Sequence, residues 1–370
     1  MCAAVIIFLT IRLAMKGEIQ QAYKETENSK YILIFTALSF VISCLYQNWL
    51  GAICSIGLSV FLSFILYYRK HIDKNLLEFI TDLIVVLSFF AAIYGFIEYI
   101  GILDRMGIEE FEIIFFNKPK DRINSFYFNA NYYAMMIEFF VLIAFYKLLQ
   151  VKNIWKNFQH IMKLLTIIAL NLLALVLTAC RTAWPALAAG ILVVLILDKR
   201  YKTCGLLFIG FICVLIYFMM NPSQFPRVDN IVSYFFTRTD IWEVAIQNIK
   251  THPLFGEGPM TYMHIYEKYN GHPTQHAHSI YLDPILCFGI VGLTTIVPYV
   301  YSNIKKLYKL WKSRLNKTFV ALVVSFTVMI LVHGMMDYTI FFIQTGFLYL
   351  LIASSFDVYK QELNNEILRS

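Results

Sequence analysis

The chain has 370 residues, 59% of them hydrophobic and only 15% charged, with a mean hydropathy of +0.63. A soluble domain carries about 25% charged residues, so the composition excludes an ordinary water-soluble enzyme and points to a polytopic membrane protein. The formal net charge of +7 then calls for no nucleic-acid partner. What matters is where the charges fall, because lysine and arginine collect in cytoplasmic loops.

A helix needs about 20 mostly apolar residues to cross the hydrocarbon core. That criterion predicts an all-α polytopic chain, a single integral membrane domain with about eleven transmembrane helices. They lie near 2–15, 31–47, 49–68, 79–101, 131–149, 162–179, 182–198, 203–220, 279–301, 318–335 and 338–356. The first is a stub beginning at Met1, and an odd count with a short start is what a twelve-span chain shortened at its amino terminus would show. The first apolar run is followed by Lys16 and Glu18 rather than by small residues, so no cleavable signal peptide is predicted. The seven cysteines are scattered without a C-x-x-C pair and mostly inside apolar runs, which implies neither a disulfide framework nor a metal cage. No internal repeat of the kind that builds many transporters is apparent.

Alternate loops divide the basic residues unequally. One side carries 22 of the 31 lysines and arginines, among them Arg69, Lys70, Lys199, Arg200 and the run Lys305–Lys317, together with Lys360 and Arg369 in the tail. The positive-inside rule makes that side, and the carboxyl terminus, cytoplasmic. Both long polar intervals, 102–130 and 221–278, then fall on the outer face, the second as one large extracytoplasmic loop.

The stretch Arg238–Gly292 holds five of the eight histidines. Arginines stand out on the same face: Arg122 in DRINSFYFNANYYAMM, Arg181 in CRTAWPALAAG and Arg238 in TRTDIWEVA. Arginine at the outer boundary has no topological reason to be there, and its planar fork suits bidentate phosphate binding. For any one of them the alternative is snorkelling or an ion pair, such as Arg238 with Asp240. His278, at the start of the ninth span, suits a general base, the alternative being a structural histidine. His272, His276 and His278 spell H-x-x-x-H-x-H, but in a Gly/Pro-punctuated loop without an acidic residue in the run, which argues against a metal site. Gly256-Glu257-Gly258-Pro259 is first a backbone turn and second a phosphate nest. Glu98, Glu138, Asn171, Asp283, His333 and Asp337 are expected to pair within the bundle or line its outer cavity.

Taken together, these motifs resemble those of the bacterial O-antigen ligase/polymerase superfamily. His278-Ser279, nine residues, Gly289, two residues and Gly292 reproduce its H-[NSQ]-x9-G-x2-G signature. RTDIWEVAIQNIKTHPLFGEGPMTY is similar to the family's R-x-x-x-W…hPlfGxG segment, and CRTAW to its SRTA-type turn. RINSFYFNANYYA is similar to a third segment, with Ser125 and Ala130 where the family usually has Gly and Pro.

The resemblance implies a GT-C-like helical bundle in the bacterial cytoplasmic (inner) membrane, usually of about twelve spans. It implies an inverting, metal-independent glycosyltransferase without a cofactor. The donor would be an undecaprenyl-diphosphate-linked glycan, the acceptor a lipid A-core or other glycan on the outer face (ligase), or a second lipid-linked repeat of a capsular or cell-wall polysaccharide (polymerase). His278 would deprotonate the acceptor, while Arg181 and Arg238, helped by Arg122, would hold the diphosphate. Asn131, Trp242, Gly256, Gly258 and Tyr262 would complete the substrate site. The competing classes are a flippase or transporter of lipid-linked sugars, which would not need a boundary histidine with outer arginines, and a membrane scaffold or sensor.

Overall fold

The computed structural model describes residues 2–116, 118–221, 227, 230–313 and 315–359. Arg314, Lys360, Arg369 and part of the interval 221–278 lie outside the described residues. Everything regular is helical, and no strand occurs among the described residues. The α-helices in chain order are α1 (Cys2–Met15), α2 (Glu18–Glu25), α3 (Lys30–Leu45), α4 (Trp49–His71) and α5 (Lys74–Arg105). Then come α6 (Ala130–Gln150), α7 (Phe158–Leu177), α8 (Ala183–Leu197), α9 (Tyr201–Met220) and α10 (Ile231–Thr251). The chain closes with α11 (Thr261–Ile265), α12 (Asp283–Lys312), α13 (Lys317–His333) and α14 (Ile343–Ala353).

Ten of the eleven predicted apolar runs each fall on one α-helix; the eleventh, 338–356, is broken into the 11-residue α14 between two 3-10 turns. Six of the helices, α4, α5, α6, α7, α9 and α12, are long and apolar enough to cross a membrane. The pair α2 and α3, bent by 114° at its break, would make a seventh. Helices α8 and α13 are apolar but shorter, at 15 and 17 residues, because the polar turns at their ends are drawn into the site described below. The interval expected to be one large loop contains the 21-residue helix α10. Its apolar positions Ile241, Val244 and Ala245 bury one stripe, as the i, i+3, i+4 spacing requires.

Helix α6 is the axis of the bundle. It is apolar on every side, and 83% of its membrane-length window is buried; a helix with no polar face has to be surrounded. Helices α5, α7, α8 and α13 surround it, and α8 lies along α13. The two ends of the bundle differ in chemistry. At one, Arg69 is buried in an ion pair with Asp357, and its Nη1 donates to Asn303 at 2.6 Å, while Lys147 meets Asp82 at 2.7 Å. At the other, the turn before α4 meets the 257–259 loop, Asn48 Nδ2 donating to the carbonyls of Glu257 (3.1 Å) and Pro259 (2.8 Å). The arginine- and histidine-rich segments are gathered at this second end.

Candidate active site

Four short segments are shaped locally before they meet. In the first, Arg122–Asn129, Glu98 of α5 accepts the backbone N–H groups of Asn124 (2.9 Å) and Ser125 (2.8 Å). Ser125 takes φ +52° there, the left-handed conformation that glycine adopts most easily. Asn129 caps α6, its side chain accepting the N–H of Asn131 at 2.8 Å, which fixes Asn131 in the first turn.

The second segment, Cys180-Arg181-Thr182, links α7 to α8. Beneath it lies a fully buried couple, His333 Nδ1 to Glu138 Oε1 at 2.6 Å, and the other ring nitrogen of His333 meets Thr182 Oγ1 at 3.3 Å. One hydrogen-bonded unit thus ties α6, α13 and the arginine-bearing turn together.

The third segment is the approach to α12. Helix α12 is broken at Gly289, which has φ +60° and ψ −179°. The freed N–H groups of Ile290 and Val291 donate to the carbonyls of Pro253 (3.0 Å) and Leu254 (2.8 Å), and Gly258 N–H donates to Cys287 O at 2.8 Å. A strap formed by Pro253–Gly258 is thereby laced into the break. A Cβ on Gly289 would strike the Leu254 backbone, and one on Gly256 would strike the carbonyls of Leu286 and Cys287. The close spacing of Gly289 with the strap glycines is therefore a packing requirement first.

The fourth is the turn after α13, which carries Asp337. This carboxylate joins the first and third segments. Its Oδ1 pairs with His278 Nδ1 at 2.8 Å, and its Oδ2 accepts from Asn131 Nδ2 at 2.6 Å. Asn131 Oδ1 in turn accepts from Arg122 Nη2 at 2.7 Å, and Arg122 Nε donates to Thr178 O at 2.6 Å. A continuous chain, Arg122–Asn131–Asp337–His278, thus joins residues 156 positions apart in sequence. An ionised carboxylate only accepts, so Nδ1 of His278 carries the proton and Nε2 keeps a lone pair, here met by Thr274 Oγ1 at 2.9 Å. His278 holds φ +48°, a strained conformation of the kind that clusters at functional sites.

The electrostatics follow from burial and crowding. Burial alone would raise the Asp337 carboxyl, but His278, through its proximity and hydrogen bond, and Arg238 outweigh it and hold the group well below the usual carboxylate range. Burial, then His278 and Arg238, push the His276 imidazole down to about 3, so it is neutral. Burial pushes the Arg122 guanidinium down to about 10, with Arg227 adding to the effect. Arg181 and Arg238 are lowered for the same two reasons, burial first. Arg227 and Tyr234 complete this group. The ring of Tyr234 lies 4.4 Å from the Arg227 guanidinium carbon and 5.5 Å from that of Arg181, and Arg181 Nη1 donates to the Arg227 carbonyl at 3.1 Å.

The sequence expectations fall out unevenly. Arg122, Asn131 and His278 share one hydrogen-bonded chain, and Arg181 and Arg238 face the same charged group. Arg238 has no ion-pair partner among the described residues, Asp240 included. Trp242 packs partly buried beside Ile241 and Val244, its Nε1 without a hydrogen-bond partner. Gly256 and Gly258 face Cys287 and Ser43, and Tyr262 is fully buried with its hydroxyl on the His272 carbonyl at 3.3 Å; the contacts of these three are those of packing. The other expected polar groups do pair within the bundle, Asn171 with Ser88 (3.2 Å) and Asp283 with the Ala277 N–H (2.7 Å).

Sequence reasoning placed Asp337 only among general polar groups, and passed over Arg227, Tyr234 and Thr274. In Asp337 it missed the acid that the H-x-x-x-H-x-H run lacked. His276, His278 and Asp337 bring potential ligand atoms within 4.8 Å of one another. Those atoms are turned toward each other, His276 Nδ1 accepting the His278 N–H at 3.2 Å while Asp337 binds His278 and Asn131.

Residues 165–297 match the family model described as O-antigen ligase, which supports the O-antigen ligase/polymerase superfamily. No curated protein matches the chain. The matched region includes Arg181, Arg238, His278, Gly289 and Gly292; Arg122, Asn131, Glu138, His333 and Asp337 lie outside it and join the site through the fold.

Proposed function

We propose that this chain, with its O-antigen ligase domain, transfers a glycan from undecaprenyl diphosphate to an acceptor on the outer face of the bacterial cytoplasmic membrane. In this reading all eleven apolar helices cross a GT-C-like bundle, the basic end is cytoplasmic together with the carboxyl terminus, and 221–278 carries part of the active site. The observation that carries the proposal is the chain from Arg122 through Asn131 and Asp337 to His278. It couples a basic imidazole to a crowded set of guanidinium groups, the two kinds of group that glycosyl transfer from a diphosphate requires.

The acceptor hydroxyl displaces Thr274 from His278 Nε2 and gives its proton to that nitrogen as its oxygen attacks the anomeric carbon. The bond from that carbon to the phosphate oxygen breaks, and the electron pair leaves on the diphosphate. Asp337 keeps the imidazole in the tautomer that accepts and stabilises the imidazolium that forms. Arg181 and Arg238, with Arg122, stabilise the leaving charge. Diphosphate is already a good leaving group, so positioning and charge stabilisation suffice and the reaction is metal-independent. Attack opposite the leaving group inverts the anomeric centre.

Purified protein with a synthetic polyprenyl-diphosphate glycan is the test. His278→Ala and Arg181→Ala abolish transfer while the protein still inserts; full activity in either variant refutes the assignment. Offering a lipid A-core acceptor against a second lipid-linked repeat separates ligase from polymerase.

A further inference from the structure

We propose that Arg227, stacked on Tyr234, is a fourth diphosphate-binding residue whose charge matches the leaving group more closely than the bound donor. The inference rests on the donor reading above.

Three independent features of Arg227 point to a ligand. Its backbone holds φ +58°, a conformation costing about 1–3 kcal/mol for a non-glycine residue. That conformation is pinned by Arg181, which donates to its carbonyl. Its guanidinium lies 4.4 Å from the Tyr234 ring centre, which orients the planar group while leaving its edge available. Its Nε is buried with no hydrogen-bond partner, and a buried donor left unmade costs about 1–3 kcal/mol.

The charge balance points the same way. Arg227 disfavours the charged form of each of Arg122, Arg181 and Arg238, so four guanidinium groups crowd one region. The carboxylate facing them is Asp337, which is already hydrogen-bonded to His278 and Asn131. Four guanidinium groups facing one carboxylate leave positive charge in excess. A diphosphate esterified at both ends carries two charges, one on each phosphate. Glycosyl transfer breaks one ester and frees a terminal phosphate oxygen, whose second ionisation lies near pH 6. Near neutrality the leaving group thus approaches three negative charges. An interaction that strengthens as this charge develops lowers the barrier rather than merely tightening donor binding.

The test uses the purified full-length protein and farnesyl diphosphate as a leaving-group probe, alongside steady-state transfer from the synthetic donor. Arg227→Ala and Arg227→Gln weaken farnesyl diphosphate about 10- to 100-fold, the range a charge-assisted hydrogen bond supplies. They lower kcat by a similar factor while KM for the donor moves less than about threefold. Arg227→Lys restores part of both, and Lys250→Ala, on the exposed side of α10, changes neither. If Arg227→Ala and Arg227→Gln bind farnesyl diphosphate as the wild type does while Arg181→Ala does not, Arg227 is not part of the site and the donor reading stands. If the wild type binds no farnesyl diphosphate and Arg181→Ala transfers normally, the donor reading falls and takes the role of Arg227 with it.

Discussion

Replacing Gly289 by alanine probes the packing on which the site rests. Its φ of +60° with ψ of −179° lies in a region that is essentially reserved for glycine, where another residue costs about 1–3 kcal/mol. The added methyl would also collide with the Leu254 backbone, which cannot rotate aside as a side chain would. Relief requires the strap to lift, loosening the bonds from Ile290 to Pro253 and from Val291 to Leu254. Two such bonds are worth about 1–3 kcal/mol together, so the whole effect is about 2–6 kcal/mol, a large share of a typical folding free energy of about 5–15 kcal/mol. Thermal unfolding in detergent, followed by tryptophan fluorescence at a fixed scan rate, reads the change. Gly289→Ala is expected to lower the midpoint by about 3–8 °C. Gly101→Ala in α5, where a Cβ meets nothing within 4 Å, is expected to leave it unchanged or raise it slightly. A Gly289→Ala midpoint equal to that of Gly101→Ala would refute the account of the helix break.

Two further outcomes concern the site itself. Asp337→Asn removes the acceptor-only partner of His278 and lets the wrong tautomer form; kcat for transfer falls about 10²- to 10⁴-fold. Farnesyl diphosphate affinity holds or tightens, because a facing negative charge has been lost, and a variant that loses affinity but keeps kcat would contradict the scheme. The second outcome is acid lability. The folded protein holds both His276 and Asp337 below their ordinary values, so the unfolded chain binds more protons as the pH drops. The His276 share is complete above the unfolded histidine value of about 6.5 and is lost as the pH falls toward about 3; the Asp337 share starts to go only below the unfolded carboxyl value of about 3.9, each by at most about 1.4 kcal/mol per pH unit. Melting midpoints measured across that window, with His276→Gln as the flattened comparator, check the sign.

The helices were legible because lipid imposes a length and a polarity on any run that crosses it, and ten of the eleven predicted runs each fall on one α-helix. The arginines and His278 stand out in the sequence because each departs from what its position alone requires. Helix α10 carried a readable signal in its Ile241, Val244 and Ala245 spacing, which its many polar residues masked. Ser125 reads as a departure from a glycine pattern, yet its backbone keeps the conformation that glycine would take, held there by Glu98. Asp337 was not legible as a partner of His278, since 59 residues separate them and the pairing exists only once α13 returns beside the start of α12. Arg227 looked like one more outer charge; its backbone angle and its place against Tyr234 arise only on folding.

Helix α9 has no buried residue, and its packing within the protein is chiefly against α8. Acyl chains are as apolar as the leucine side chains it presents to them, so little protein free energy holds it at any one depth. Set in a bilayer, α9 would have lipid rather than protein as its main packing partner.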